Sequence, residues 1–179
     1  MSKKILMDSD SVSRSITRLS YEILEKNLNI QDIVLIGIHN RGVPLAMRIQ
    51  NKICEISTVS LDQGSLDITF HRDDYRKRLV IPQVKGTDIS FSLDGKTVIL
   101  IDDVLYTGRT IRAAIDELNS FGRAAKVQLA VLVDRGHREL PIKADYVGKN
   151  IPTHEGEHVS VTLKETDDVD SVYLIRITE

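Results

Sequence analysis

The chain has 179 residues, 41% hydrophobic and 28% charged, with 24 Lys+Arg against 26 Asp+Glu and a formal net charge of −2. That length suits about one domain with a sizeable core, and the near-neutral balance excludes a bulk nucleic-acid coat while leaving room for a local basic patch. The single cysteine, Cys54, excludes an internal disulfide and a zinc site built on cysteine pairs.

From the N-terminus, Ile5, Leu6 and Met7 form an apolar stretch that stops at Asp8, too short for a signal peptide. No run of about 18 apolar residues follows anywhere. A cytoplasmic, reducing compartment is therefore expected. Val12, Ile16, Leu19 and Ile23 recur on one helical face and predict a helix over 9–27, capped by Ser9, Asp10 or Ser11. Residues 33–38, Ile-Val-Leu-Ile-Gly-Ile, read as a strand buried on both faces. The polar turn His39-Asn40-Arg41-Gly42 leads into a helix over 43–55, with Pro44 allowed in its first turn. Residues 66–70 alternate and predict a strand. The pattern then breaks over 71–94, which is densely charged and is a loop long enough to be functional.

The clearest strand covers 97–101 and ends at Asp102-Asp103; a loop to Gly108 enters a helix over 109–121, with Gly122 as its stop. Another buried strand covers 127–133 and ends at Asp134-Arg135-Gly136-His137. Short strands are expected over 144–148, 159–163 and 172–177. Strands alternating with helices predict an α/β fold with a parallel sheet. Ligands of such sheets sit beyond the carboxyl ends of the strands. The polar clusters 39–42, 102–110 and 134–138 fall at those ends.

Two motif matches fail on chemistry. Gly37 and Gly42 have P-loop spacing, but Val43-Pro44 stands where Lys-Ser/Thr is needed. His154-Glu155-Gly156-Glu157-His158 fits H-E-x-x-H, yet Pro152, Gly156 and the alternating residues that follow predict a turn, not the helix zinc requires. The segment from Val98 to Thr110 carries more. Its strand delivers the paired carboxylates Asp102 and Asp103. Val104, Leu105, Tyr106, Thr107 and Gly108 then lead to a helix N-terminus at Arg109 and Thr110, which offers backbone N–H groups to a phosphate. Paired carboxylates beside a phosphate site suit a sugar phosphate, by accepting from vicinal ribose hydroxyls or holding a hydrated Mg²⁺. A plain Asp-Asp cap with a tight turn is the competing reading.

These thirteen residues resemble, without a break, the phosphoribosyl-diphosphate (PRPP) signature of type I phosphoribosyltransferases. Arg18, residues 37–42, Asp67-Ile68-Thr69 with Arg72-Asp73-Asp74, residues 131–142 and residues 144–150 resemble one subfamily, the bacterial pyrimidine operon regulators that are also uracil phosphoribosyltransferases. The resemblance implies one phosphoribosyltransferase domain over 1–179, with a central, mostly parallel sheet flanked by helices. It implies a small hood to which about 133–163 contribute, and a mobile active-site loop over 71–90. It implies uracil plus PRPP giving UMP and pyrophosphate, with Mg²⁺ carried by PRPP and touching Asp102 and Asp103 mainly through substrate and water.

By the same resemblance, Tyr106 to Thr110 hold the 5′-phosphate, Asp102 and Asp103 the ribose, and Asn40, Arg41 and Gly42 the pyrophosphate, with Arg41 near the leaving group; Arg41, Asp102 and Asp103 are the catalytic set. The family often has a non-proline cis peptide in the 39–42 loop. Arg72 joins the PRPP site from the 71–90 loop. Purine enzymes of this type usually carry an acid where Tyr106 stands, so a pyrimidine base is favoured. Val133, Arg135, His137 and Val159 are the candidate base contacts, His137 equally a satisfied turn histidine. UMP-dependent binding of a pyrimidine operon leader mRNA, with transcription attenuation, is implied as a second role. Its candidate face is Arg14, Thr17 and Arg18 with Lys149. An ordinary solvated helix face is the competing reading, and Tyr21 stands where some relatives carry histidine. A salvage-only uracil or purine phosphoribosyltransferase without RNA binding stays open, as does the size of the homodimer or higher assembly the resemblance implies.

Overall fold

Six consecutive apolar residues with β-branched weight cannot face water on either side, and Ile33–Ile38 (β2) is buried at every position. The computed structural model describes residues 2–68 and 86–176. In it β2 lies inside a five-stranded sheet of order β3-β2-β4-β5-β6, where β3 is Asp62–Leu66, β4 Thr97–Leu105, β5 Lys126–Asp134 and β6 Tyr146–Asn150. Every pairing in this sheet is parallel.

Side chains alternate across the strands and build two cores. Ile33, Leu35, Ile99 and Ile101 point to one face and meet Val12, Ile16, Leu19 and Ile23 of α1 (Ser9–Lys26) and Leu45, Ile49 and Ile53 of α2 (Gly42–Ser57). Val34, Ile36, Val98 and Leu100 point to the other and meet Ile111, Ala114 and Leu118 of α3 (Arg109–Leu118). On the first face, buried Tyr146 shares its phenol with Asn27 at 2.9 Å and Gln128 at 2.9 Å, which ties the end of α1 to β5 and β6.

A second, antiparallel sheet of order β1-β8-β7 forms the hood, with β1 Ser2–Met7, β7 Glu157–Thr162 and β8 Ser171–Arg176. A four-residue helix, α4 (Lys164–Asp167), connects β7 to β8. Met7, Val161, Leu163 and Val172 join the hood to the first core.

Several expectations shift. β1 and β8 stand in the hood sheet together with β7, which lies within the 133–163 expected to contribute. β1 is exposed along most of its length and has no alternating pattern, so it becomes a strand only through pairing with β8. The first helix is capped by Asp8, whose carboxylate accepts from the Ser11 N–H at 2.8 Å. The chain arrives from β1 in extended conformation, so Asp8, not Ser9, Asp10 or Ser11, is the last non-helical residue. The strand expected over 66–70 lies over Asp62–Leu66, because its register comes from β2, where Val34 pairs with Asp62 and Ile38 with Leu66. Thr69 and Phe70 lie outside the described residues. β4 continues four residues past 101, so Asp102 and Asp103 belong to the strand, because Asp102, Val104 and Leu105 keep partners in β5. The third helix stops at Leu118 and a 3₁₀ turn, Asn119–Phe121, completes it.

The Gly37/Gly42 spacing has a packing cause. A Cβ on Gly42 would lie 2.3 Å from the Ile101 carbonyl oxygen, and one on Gly37 2.6 Å from the Gly42 carbonyl oxygen. The β2–α2 loop therefore folds flat onto β4 only with glycine at both positions. Gly42→Ala is expected to cost about 2 kcal/mol or more through this overlap. Urea unfolding of the variant against the wild-type protein checks it.

Candidate phosphate and carboxylate site

Parallel register puts the carboxyl ends of β2, β4 and β5 on one edge, and three loops rise from it. The β2–α2 loop holds His39, Asn40 and Arg41, with a cis peptide between His39 and Asn40. Gly42 opens α2 directly against the Ile101 carbonyl and the Asp102 backbone. The β4–α3 loop, Tyr106 to Gly108, ends in a glycine at φ 91°, which turns the chain into α3. There the first-turn amides of Arg109 and Thr110 face outward, as helix geometry requires. Thr107 anchors the turn: its hydroxyl accepts from the Arg109 N–H at 3.3 Å, and its carbonyl accepts from Glu139 at 3.0 Å. The Arg109 side chain ion-pairs with Glu139 at 2.6 Å.

Asp102 is 7% exposed, and its Oδ1 accepts from the Asp103 N–H at 2.9 Å. The Asp103 carboxylate in turn accepts from the Val104 N–H at 2.9 Å. Burial pushes the Asp103 carboxyl up, against the hydrogen bond with Asp102 and the nearby Arg41 charge. Two adjacent carboxylates, with burial opposing ionisation of Asp103, are suited to a cation or to hydroxyl donors.

Arg41 is held by a carboxylate from the hood. Its Nε and Nη2 donate to the two oxygens of Asp167 at 3.0 and 2.8 Å. One step along α2, Arg48 forks Glu165 at 2.8 and 2.6 Å and Asp170 at 2.9 and 2.7 Å. None of these hood acids was among the sequence candidates. The signal available was Glu165-x-Asp167-x-x-Asp170, which reads as a solvated acidic run until α2 is placed beside it.

The four base candidates are only partly assembled into a pocket wall. Val133 is fully buried in the first core. Arg135 is 7% exposed; its guanidinium donates to the Glu157 carbonyl at 2.6 Å and the Thr153 hydroxyl at 3.3 Å, and lies 4.0 Å over the Tyr106 ring. His137 adopts φ 59°, its Nε2 is 2.6 Å from the Thr153 carbonyl, and its ring meets Tyr106 edge-on at 6.2 Å. Val159, two residues past Glu157, pairs with Leu174 in the hood sheet. Tyr106, Arg135 and His137 thus form one contiguous wall, with Tyr106 44% exposed at its rim. Arg138 braces that wall from behind: it donates to the carbonyls of Tyr106 at 2.6 Å and Ile142 at 3.0 Å, and pairs with Asp134. Arg138 was missed because a guanidinium serving carbonyl groups leaves no pattern in the sequence.

Arg14, Thr17 and Arg18 line a shallow groove on α1 with Tyr21, Glu22 and Glu25. Arg18 pairs with Glu22 at 2.6 Å and donates to the Gly148 carbonyl at 2.5 Å, next to Lys149. Lys149 itself donates to the Leu6 carbonyl at 2.9 Å. Arg18 and Lys149 therefore brace α1 and β1 against β6, whereas Tyr21 is exposed. His154 lies in a loop and His158 on β7, either side of the Gly156 turn, so the H-E-x-x-H match lacks its helix. Arg72 lies outside the described residues. No helix among the described residues is long and apolar enough to cross a membrane.

The profile of the phosphoribosyl transferase domain family matches residues 3–166. "Bifunctional protein PyrR" of Roseiflexus sp. (strain RS-1) is 54% identical over 179 residues, covering 99% of this chain and 98% of its own. The protein of the same name from Clostridioides difficile (strain 630) is 55% identical over 170 residues, covering 95% and 96%. Among solved structures, a hypoxanthine phosphoribosyltransferase of Trypanosoma cruzi has TM-score 0.72 at 19% identity, covering 97% of this chain and 96% of that one, a likeness of fold.

The hood forks carry a pH signature. The Arg48 hydrogen bonds hold Glu165 below its ordinary value, and those of Arg41, then Thr166, hold Asp167 well below the usual carboxylate range. Burial opposes ionisation of Asp170, and hydrogen bonds from Arg48 and the Lys164 N–H together outweigh it. Depressed folded-state values stabilise fully above the unfolded carboxylate range, about pH 4, and the contribution is lost as pH falls below it. Thermal melts are expected to drop below about pH 4, and Arg48→Met to flatten part of that drop.

Proposed function

The chain belongs to the phosphoribosyl transferase domain family, and from that premise we propose that it is a uracil phosphoribosyltransferase, converting uracil and PRPP to UMP and pyrophosphate, that also binds a pyrimidine operon leader mRNA when UMP is present. One observation carries the transferase reading: two helix N-termini flank the Asp102–Asp103 pair on one sheet edge, with Gly42 packed directly against β4.

In this reading the Tyr106–Thr110 turn and the α3 N-terminus hold the 5′-phosphate, favoured by amide donors and the helix dipole. Asp102 and Asp103 accept from the ribose hydroxyls. Asn40, Arg41 and Gly42 face the pyrophosphate. Displacement at the anomeric carbon builds positive charge on the ribose and negative charge on the leaving group. The work left to the protein is positioning and charge stabilisation, not nucleophilic attack. The Tyr106–Arg135–His137 wall stands where the base would lie; Tyr106 supplies no acid to meet a purine N7, which favours uracil. Magnesium fits the donor set: Asp102 and Asp103 are adjacent hard oxygen ligands, and among the described residues no group of three or more His, Cys, Asp or Glu could hold a metal alone. The ion would come with the diphosphate, whose oxygens and water complete its shell, and would neutralise charge on the leaving group.

RNA would lie across α1, with Arg14 toward phosphate and Tyr21 offering an exposed ring to an unstacked base. The likeness to relatives named bifunctional supports two roles in one chain. A homodimer or higher assembly belongs to the same proposal.

Pyrophosphate release from PRPP and Mg²⁺ is expected with uracil and not with hypoxanthine, guanine or orotate. Release with a purine alone would reverse the reading of Tyr106. For RNA, Arg14→Ala and Tyr21→Ala are expected to weaken a UMP-dependent gel shift about tenfold, the scale of a lost stacking or phosphate contact, while UMP synthesis is unchanged. Arg18→Ala is a poorer probe, because it also removes the brace to β6.

A further inference from the structure

Arg41 stands at the N-cap of α2, and Arg48 follows seven residues later on the same helix. Seven residues are close to two turns, so both side chains leave one face. That face meets the segment from α4 to β8, which carries Glu165, Asp167, Asp168 and Asp170. The two arginines divide this segment. Arg48 forks both Glu165 and Asp170 and makes no contact with Asp167. Arg41 forks Asp167 alone, at the end of α2 that bears the pyrophosphate loop.

Asp167 is fixed independently of Arg41. Its Oδ2 accepts from the Leu163 N–H at 3.1 Å and the Thr166 hydroxyl at 2.6 Å, inside its own helical turn. The carboxylate is therefore set before the guanidinium meets it. The fork consumes Nε and Nη2 of Arg41, and Nη1 makes no hydrogen bond among the described residues. The negative charge of Asp103 also acts on this guanidinium.

We propose that Asp167 is a positioning residue of the transferase site: it grips Arg41 by the Nε/Nη2 edge and presents Nη1 to the diphosphate of PRPP. The proposal rests on the reading of Arg41 as a diphosphate contact. An arginine held in advance loses less rotamer freedom when the anion arrives. The arrangement also means that the hood, whose Glu157 carbonyl accepts from Arg135 of the base wall, sets the reach of the pyrophosphate loop.

Steady-state kinetics of the full-length protein test this, with PRPP and uracil varied separately. Asp167→Asn is expected to lower kcat/KM for PRPP about tenfold and to leave KM for uracil unchanged. Arg48→Met breaks the neighbouring forks without touching Arg41, and is expected to keep kcat/KM for PRPP within about twofold of wild type. In an Arg41→Gln background, Asp167→Asn is expected to add nothing, because there is no guanidinium left to aim. A wild-type value for Asp167→Asn, a fall for Arg48→Met equal to that of Asp167→Asn, or additive losses in the double variant would each overturn the proposal; the last two would make Asp167 part of hood docking only. Wild-type protein that consumes no PRPP with any base would overturn the transferase reading itself, and with it this proposal. That outcome is seen before any variant is compared.

Discussion

The in-register parallel pairing of β2 with β4 is the constraint on which the site depends. Val34 lies beside Val98 and Ile36 beside Leu100, and each of these side chains is buried. A slip by one residue would exchange the two faces of the strand and mismatch both cores at once. With the register locked, both strands deliver their loops at one level. α2 then begins against the backbone of Ile101 and Asp102, and α3 begins one loop beyond. Two positive helix ends beside two carboxylates follow from that geometry, and so does a site able to hold a divided anion and a polyol together.

The hood adds ionic docking to the apolar burial of Met7, Val161, Leu163 and Val172. Its three strands bury little of β1 and only selected positions of β7 and β8. Much of its docking onto α2 is ionic, through Arg41 and Arg48 against Asp167, Glu165 and Asp170. Such pairs are directional where apolar burial is not. Bidentate forks fix both distance and plane, which suits an element that must hold a wall at a set height above the sheet edge.

The wall itself shows how side chains near a site divide their labour. Arg135 stacks on Tyr106 but sends its hydrogen bonds to Thr153 and Glu157, so it shapes the wall and does not reach across it. Arg138 holds carbonyls of both the Tyr106–Gly108 turn and the loop after β5. A loop that must present amide groups outward leaves its carbonyls turned inward, and a half-buried guanidinium can satisfy several of them at once.

The sequence by itself determined the central architecture. Largely apolar runs at 33–38, 97–101 and 127–133, each ending in polar residues, specified buried strands and the sheet edge from which the polar loops rise. The unbroken Val98–Thr110 segment specified the carboxylate pair and the glycine-ended turn into α3. Both were legible because they are local: strand, turn and helix start are written in adjacent residues. Tertiary structure decided the rest. The weakly patterned strands Ser2–Met7 and Asp62–Leu66 exist because β8 and β2 pair with them. The glycine pair at 37 and 42 gains its meaning from a carbonyl in another strand. The partner of Arg41 lies 126 residues away in the chain. No spacing rule links a guanidinium to a carboxylate across that distance; only the packing of the hood onto α2 brings the two charges together.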